Sequence, residues 1–312
     1  MGGRLGNQLF NYAAARSLQI NLYPNEELVF DFGYLSREGT PQEGWVNGLA
    51  YYNTVDYRLY EKNGVMLHAG SIYQKAICAA YYAGLRKYSR FHMNEEYEYE
   101  KKWSPVLNAA GIYWYRTGYI ELTSSKARNK LMSGRFEDSR YFNSIREELL
   151  KELTPRYPEL ATNEEIYSIA DAENSVCVSI RRGDFETNQT YKKLHSVCTR
   201  QYFEKAIRRM REMFSNPVFL LFSDDVSWAK QNIVIPGAEV YAERGDDPVW
   251  EKLRMMSRCN HFIISNSSFS WWSQWLSTRS SKVVIAPNRW FNNDYNSPLI
   301  EKNMIRIDVD SE

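Results

Sequence analysis

The sequence lacks the patterns by which cysteine and histidine usually form a metal site or a disulfide framework. None of its four cysteines is spaced as Cys-x-x-Cys, and its four histidines are scattered along the chain. The only Asp-x-Asp triplet lies at 308–310, in a segment that we interpret as a tail. We therefore expect reduced cysteines and no bound metal ion.

An excess of charge of one sign is also missing. The chain has 39 Lys and Arg against 38 Asp and Glu, a formal net charge of +1. A domain that binds nucleic acid is usually strongly basic, so we expect no nucleic-acid partner. No signal peptide is visible, and we expect a cytoplasmic protein.

Long hydrophobic runs are absent. The longest apolar stretch, near 76–85, is too short to span a bilayer. Because Arg86, Lys87 and Arg90 follow it, one interpretation is a basic patch that touches a membrane or an anionic acceptor. We favour the other interpretation, an ordinary half-buried helix with a solvated basic face.

The second half of the chain alternates apolar strands with amphipathic helices. Strands are predicted at 176–180, 218–222, 239–241, 261–265 and 283–286. Helices are predicted at 199–214, 225–232, 247–258 and 269–276. This alternation predicts an α/β fold with βαβ units and a parallel sheet.

The first half is less regular. A helix is predicted at 6–22, a strand at 28–32, loops with short elements at 36–65 and a charged helix at 143–153. Two prolines within 154–159 mark the start of a linker. At 312 residues the chain fits two domains of ordinary size, which we place at 1–158 and 159–312.

Two adjacent arginines follow the first strand of the second half. Arg181 and Arg182 come directly after the apolar run 176–180 and precede Gly183 and Asp184. Ligands of open α/β sheets lie outside the carboxyl ends of the strands. Arg offers planar, forked donors with a permanent charge, so this position predicts a site for a diphosphate.

Two further polar segments follow neighbouring predicted strands. Ser223 and Asp224 come after one strand, and their polar groups suit a guanine edge or a ribose hydroxyl. Asp225 is as well explained as a helix cap as it is as a ligand. Asn266, Ser267 and Ser268 are among the polar residues that follow another strand and open a helix, where a phosphate is favourably bound. We expect Trp271 and Trp272 to pack that helix on the sheet.

A glycine-rich loop opens the chain. Gly3 and Gly6 flank Arg4 in front of the predicted helix, and glycines there let the backbone approach an anion. The loop is neither a dinucleotide fingerprint nor a P-loop. Alone, it would be interpreted as a turn that leads into a helix.

Together these segments resemble the motifs of the bacterial α-1,2-fucosyltransferase family. The matching runs are GRLGNQLFNYA at 3–13, SIRRGD at 179–184, FSDD at 222–225 and SNSSFSWW at 265–272, with weaker similarity at 134–142 and 286–291. They fall in order over nearly the whole chain. The resemblance implies two Rossmann-like domains facing a cleft, the GT-B arrangement, with GDP-fucose as donor substrate and neither a metal nor another cofactor.

The resemblance also implies a reaction and a set of roles. Fucose would pass with inversion from GDP-β-L-fucose to the 2-hydroxyl of a β-galactoside-terminated glycan. Arg181 and Arg182 would meet the charge on the diphosphate, while Arg4 and Asn7 would face the reacting centre from the first domain. Asp184 is a candidate general base, although a role in holding the arginines is favoured. A lipid-linked acceptor would place the enzyme peripherally at the inner face of the membrane.

Two departures from the family pattern affect these expectations. The family often has His where this chain has Ser179. The family's glycine loop also follows a first strand, so we expect that strand to be missing from the sequence given and an extended chain to be more stable. Another GDP-sugar fucosyltransferase with a protein or chitin-like acceptor, and an inactive glycan-binding relative, remain as alternatives.

Overall fold

The computed structural model describes residues 1–62, 64–88, 92–183 and 189–310. The chain divides into two compact units, Met1–Thr154 and Pro155–Glu312. The division lies four residues before the boundary expected from the sequence. Up to Thr154 the main chain is bonded within the first unit, because the Thr154 carbonyl accepts from the Asn53 N–H. From Tyr157 onward it is bonded within the second, because the Tyr157 carbonyl accepts from Arg254.

The first unit combines short parallel strand pairs with helices. Strands β1 (Val29–Phe30) and β2 (Arg58–Leu59) form one pair, and β3 (Ile112–Tyr115) and β4 (Leu131–Gly134) form the other. Its α-helices are Leu5–Leu22, Leu35–Glu38, Val65–Ala69, Ile72–Leu85, Met93–Ala109 and Arg146–Glu152. Short 3-10 turns lie at Pro41–Glu43, Gly48–Tyr51, Ser139–Tyr141 and Asn143–Ile145.

The helix Leu5–Leu22 is the centre of the first unit. Leu9 is fully buried, and the buried Tyr12 hydroxyl donates to Glu152 over 2.6 Å. Arg16 reaches the other oxygen of the same carboxylate at 2.9 Å. These bonds fix the first helix to the last helix of the unit. The predicted helix at 6–22 is thereby confirmed, whereas the predicted strand at 28–32 shrinks to two residues because β2 offers only two partners.

The second unit is built on a six-stranded parallel sheet. Its strands are β5 (Ser175–Ile180), β6 (Val218–Ser223), β7 (Val240–Ala242), β8 (His261–Ile264), β9 (Val284–Pro287) and β10 (Ile305–Ile307). They lie in the order β10-β9-β8-β5-β6-β7, and every pairing is parallel. The predicted α/β fold with a parallel sheet is confirmed. The helices are Glu164–Asp171, Gln189–His195, Arg200–Met213, Val226–Asn232, Val249–Arg258 and Ser268–Leu276, with a 3-10 turn at Ala161–Asn163.

Sequence signals place most of these elements within one or two residues. The Asp225 carboxylate caps its helix by accepting from the Trp228 N–H at 3.0 Å. Trp271 and Trp272 are fully buried, which confirms that they pack the last helix inside the unit. The segment 308–310, which we interpreted as a tail, follows the last strand of the described chain. The three-residue strand β10 precedes it and pairs with β9, a register that so short a run could not reveal.

Candidate functional site

The strand order of the second unit reverses between β5 and β8. Chain order runs outward on one side from β5 through β6 to β7, and on the other side from β8 through β9 to β10. In such doubly wound sheets, ligands bind in the crevice outside the carboxyl ends of the two strands at which the order reverses. The residues that follow β5 and β8 are the arginine pair and the serine-rich segment. The topology therefore brings two of the predicted site segments together.

Arg181 is held by Asp224, which follows the neighbouring strand β6. The Arg181 Nη1 atom lies 2.8 Å from Asp224 Oδ2, and the two side chains are only 22% and 26% exposed. The other oxygen, Oδ1, accepts from the Arg182 N–H at 2.9 Å. A Cβ atom at Gly183 would lie 2.4 Å from Asp224 Oδ2, so glycine permits this close approach. Asp224 thus fixes both the side chain and the main chain of the arginine pair.

Arg182 is held by different neighbours. Its guanidinium lies 3.8 Å from the centre of the Trp228 ring, the geometry of a cation–π contact. Its Nε atom is 3.6 Å from Asp225 Oδ2. Asp225 and Trp228 are joined by the helix cap, so one helix start supplies both contacts. The sequence alone did not identify Trp228. The feature that could have indicated it is its place in the first turn of a helix that follows a strand end.

The carboxyl end of β6 is fixed by a buried ion pair. The Ser223 N–H donates to Glu243 Oε1 at 2.9 Å, and Lys252 Nζ lies 2.8 Å from Glu243 Oε2. Burial raises the pKa of Glu243, and the Lys252 ammonium opposes that shift. The Ser223 hydroxyl accepts from the Asp225 N–H at 2.9 Å. The N–H and the hydroxyl of Ser223 therefore both have a structural function. Glu243, like Trp228, is a residue of the site that the sequence alone did not identify.

The serine-rich segment divides into buried and accessible hydroxyls. Ser270 Oγ lies 2.6 Å from Ser179 Oγ and 2.9 Å from Ser265 Oγ, and all three residues are buried. This chain of hydroxyls joins β5, β8 and the helix Ser268–Leu276. Ser179 therefore stabilises the fold at the position where the family often has His. Ser267 and Ser268 are partly exposed, and within the described chain the Ser267 hydroxyl does not cap the helix.

Asn266 lies between these serines but is buried. Its side-chain nitrogen donates to the carbonyls of His195 and Trp290, each at 2.9 Å. These bonds connect the segment after β8 to a helix end and to the segment after β9. Asn266 therefore has a positioning role in the structure, and its binding role stays a prediction.

The glycine loop of the first unit is built around Gly3. Gly3 has φ +73°, and a Cβ there would lie 2.3 Å from Asn7 Nδ2. The buried Gln8 amide donates to the carbonyls of Gly3 and Val46, each at 2.9 Å. Gly6 is buried in the first helical turn, and the Arg4 guanidinium lies 5.5 Å from the Trp45 ring centre. The loop thus places Arg4 and Asn7 at the amino end of a long helix.

The remaining expectations concern Asp184, a metal ion, a membrane span and the cysteines. Asp184 lies outside the described residues. Among the described residues, no group of three or more His, Cys, Asp or Glu is placed to hold a metal ion. In the same part of the chain, no helix combines the length and the hydropathy that crossing a membrane requires. All four cysteines are free.

Doubly wound parallel sheets commonly bind nucleotides at the switch point. The arginine pair and the partly exposed serines at this switch point suit the phosphates of such a ligand. The amino-acid sequence identifies the class of protein more specifically than the fold does. Residues 91–308 match the model of glycosyl transferase family 11, and the chain belongs to this family of glycosyltransferases.

Individual relatives agree with this assignment. The O-antigen biosynthesis glycosyltransferase WbnK of Escherichia coli is 28% identical over 98% of this chain and 99% of its own length. An α-1,2-colitosyltransferase of Escherichia coli is 35% identical over 52% of this chain and 56% of its own. The galactoside 2-α-L-fucosyltransferase Sec1 of Mus musculus is 32% identical over 36% of this chain and 30% of its own.

Proposed function

We propose that this protein transfers L-fucose from GDP-β-L-fucose to the 2-hydroxyl of a terminal β-galactoside in a glycan, with inversion and without a metal ion. The observation that carries the proposal is the arginine pair at the switch point. Arg181 and Arg182 are fixed there by Asp224 and Trp228, and the partly exposed Ser267 and Ser268 follow the adjacent strand. Such a site suits a leaving diphosphate, and membership of glycosyl transferase family 11 supports sugar transfer.

The proposed reaction is a single displacement at C1 of fucose. The galactoside 2-oxygen forms the new bond to C1 while the bond from C1 to the β-phosphate oxygen breaks. GDP leaves with the electron pair of that bond, and the 2-hydroxyl proton passes to a base. Asp184 is a candidate for that base, although a role in holding the arginines is favoured.

The charge that develops on GDP must be met by fixed donors. Arg181 and Arg182 take this role in the proposal, with Ser267 and Ser268 as neutral donors, because donors aimed at developing charge stabilise a transition state. The ion pair with Arg181 supports a holding role for Asp224 beside the predicted contact to guanine or ribose.

The first unit completes the proposal. Arg4 and Asn7 at the glycine loop would act near the reacting centre, and two facing Rossmann-like domains would enclose the donor. A lipid-linked glycan as acceptor would bring the enzyme to a membrane surface.

A second candidate donor is suggested by one relative. The α-1,2-colitosyltransferase is more similar to this chain, at 35% identity, than the mouse fucosyltransferase is, at 32%. Colitose is fucose without its 3-hydroxyl, so the same displacement at C1 would apply. Discrimination between the two donors would depend on a contact to that hydroxyl.

A donor and acceptor panel tests the proposal. The purified protein is incubated with GDP-fucose, GDP-colitose or GDP-mannose and a set of β-galactosides, and the product linkage is determined by NMR. We expect an α-1,2 linkage from GDP-fucose. Preference for GDP-colitose would establish the second candidate, and transfer to a protein or a chitin-like glycan would identify another transferase. Binding of GDP-fucose without transfer or hydrolysis would indicate an inactive glycan-binding relative.

A further inference from the structure

The helix Ile72–Leu85 in the first unit has an unusual surface. Only Gln74, Tyr81 and Leu85 of its 14 residues are buried. The opposite side of the helix is apolar as well. Ile72 is 87% exposed and Tyr73 is 67% exposed, and the remaining exposed apolar residues are Ala76, Ala79, Ala80, Tyr82 and Ala83. The sequence favoured an ordinary half-buried helix with a solvated basic face. Lys75, Arg86 and Lys87 are exposed, as that interpretation expects, but most of the outer side is apolar.

The inner side of this helix is firmly fixed. Gln74 donates to the carbonyls of Ala110 and Asn129, each at 2.9 Å. Tyr81 donates to the Trp114 carbonyl at 2.9 Å. Ser71 and Gln74 also form a capping box at the first turn. The apolar outer side is therefore a stable surface of the folded unit and does not arise from a fraying helix end.

The segment that carries this surface is rich in positive charge. From residue 62 to residue 94 the sequence contains no Asp or Glu, whereas the chain's average of 38 in 312 would give about four. Lys75 is exposed on the helix, and Arg86 and Lys87 are exposed at its end. Among the described residues, none of these three cations has an ion-pair partner.

Further cations lie at the other end of the helix. The segment that carries the exposed Lys126 and Arg128 is held there, because Asn129 donates to the Ala69 carbonyl at 2.7 Å and accepts from Gln74. Arg128 and Tyr73 line the same open cavity of about 370 Å³. An aromatic ring and a guanidinium at one cavity suit an anionic headgroup.

We propose that the outer face of Ile72–Leu85, with the cations at its two ends, docks on an anionic lipid bilayer. An amphipathic helix that lies in the membrane interface buries an apolar face while its Lys and Arg side chains meet anionic headgroups. A second copy of the chain is a poorer occupant, because a twofold contact would bring identical basic groups together without an acidic partner in this segment. The proposal goes beyond sugar transfer and does not depend on the identity of the donor.

Vesicle co-sedimentation tests the electrostatic part. The full chain is mixed with phosphatidylcholine vesicles that contain or lack phosphatidylglycerol. We expect binding to the anionic vesicles only, and weaker binding as salt increases. Replacing Arg86 and Lys87 by Gln should weaken it on the order of tenfold. The matched control replaces Arg208 and Lys230, two exposed basic residues of the second unit, by Gln and should bind like the wild type.

A second pair of variants tests the apolar part. Ile72→Ser should weaken vesicle binding, whereas Val234→Ser, at a residue that is 66% exposed in the second unit, should not. Equal binding to both kinds of vesicle, no binding at low salt, or equal loss in variant and control would overturn the proposal. A dimer in sedimentation analysis that Ile72→Ser converts to a monomer, without vesicle binding, would assign the face to a second copy. Because the readout is vesicle binding, failure of the proposed transfer reaction would not affect the result.

Discussion

Replacing Arg181 with Lys tests the proposed diphosphate site most directly. In the structure one end of the Arg181 guanidinium faces Asp224 at 2.8 Å. The planar guanidinium carries five N–H donors on three nitrogens, so it can serve Asp224 and a phosphate at the same time. The ammonium of Lys has all its donors on one atom and cannot span both partners. We therefore expect Arg181→Lys to fold normally and to lose almost all transfer activity.

The size of the effect follows from the role of the residue. Loss of one preorganised donor to developing charge typically lowers kcat by about 10² to 10³, or roughly 2.7–4 kcal/mol of transition-state stabilisation. The Lys variant can still pair with Asp224, so the free energy of unfolding should change little. The loss should therefore appear in kcat and only weakly in the melting temperature.

The assay is the initial rate of fucosyl transfer at saturating donor, with the melting temperature measured on the same samples. Arg200→Lys is the matched control, because Arg200 is exposed and its ion pair, with Glu204, lies on the surface. The control should keep full activity. If Arg181→Lys retains more than about a tenth of the wild-type rate, a loss below roughly 1.4 kcal/mol, the assigned role in holding the diphosphate is wrong.

Four further predictions address other groups. Trp228→Leu should lower transfer about tenfold by releasing Arg182, whereas Trp228→Phe should keep most of it, because Phe retains a ring for the cation. Ser179→Ala should cost about 1 kcal/mol of unfolding free energy by removing the hydroxyl bonded to Ser270, with transfer per folded molecule unchanged. Burial raises the pKa of Glu100 from 4.5 to about 7, so the folded state binds this proton more tightly. Stability from this group should therefore fall as the pH rises from about 4.5 to about 7, and Glu100→Gln should flatten that slope in urea titrations. Added chelator should leave the initial rate of transfer intact.

Each of these predictions has an outcome that contradicts it. Equal rates for Trp228→Leu and Trp228→Phe would remove the cation–π contact from the account of Arg182. A large loss of transfer in Ser179→Ala at unchanged stability would give its hydroxyl a role in the reaction. An unchanged pH slope in Glu100→Gln would mean that other groups dominate there. Loss of rate with chelator, restored by Mn²⁺ or Mg²⁺, would establish a metal requirement.

The second unit was largely predictable from the sequence. Its strands are short, apolar and separated by amphipathic helices, so local pattern and pairing agree. The arginine pair and the serine-rich segment could be placed at strand ends because parallel strands direct their carboxyl ends to one edge. The first unit was less predictable. Its strands have only two to four residues, and their pairing depends on contacts far away in the chain.

The sequence by itself determined the α/β fold, the glycosyltransferase family and the segments that carry the candidate site, because each is written in local runs of residues. The tertiary structure alone decided what holds those residues. It placed Asp224 on Arg181, stacked Arg182 on Trp228 and assigned Ser179 to a buried hydroxyl chain. These contacts join residues more than 40 positions apart, and a local pattern contains no information on such distances. The same reason explains the outer face of Ile72–Leu85, since its residues are apolar in sequence but only packing decides which of them remain exposed.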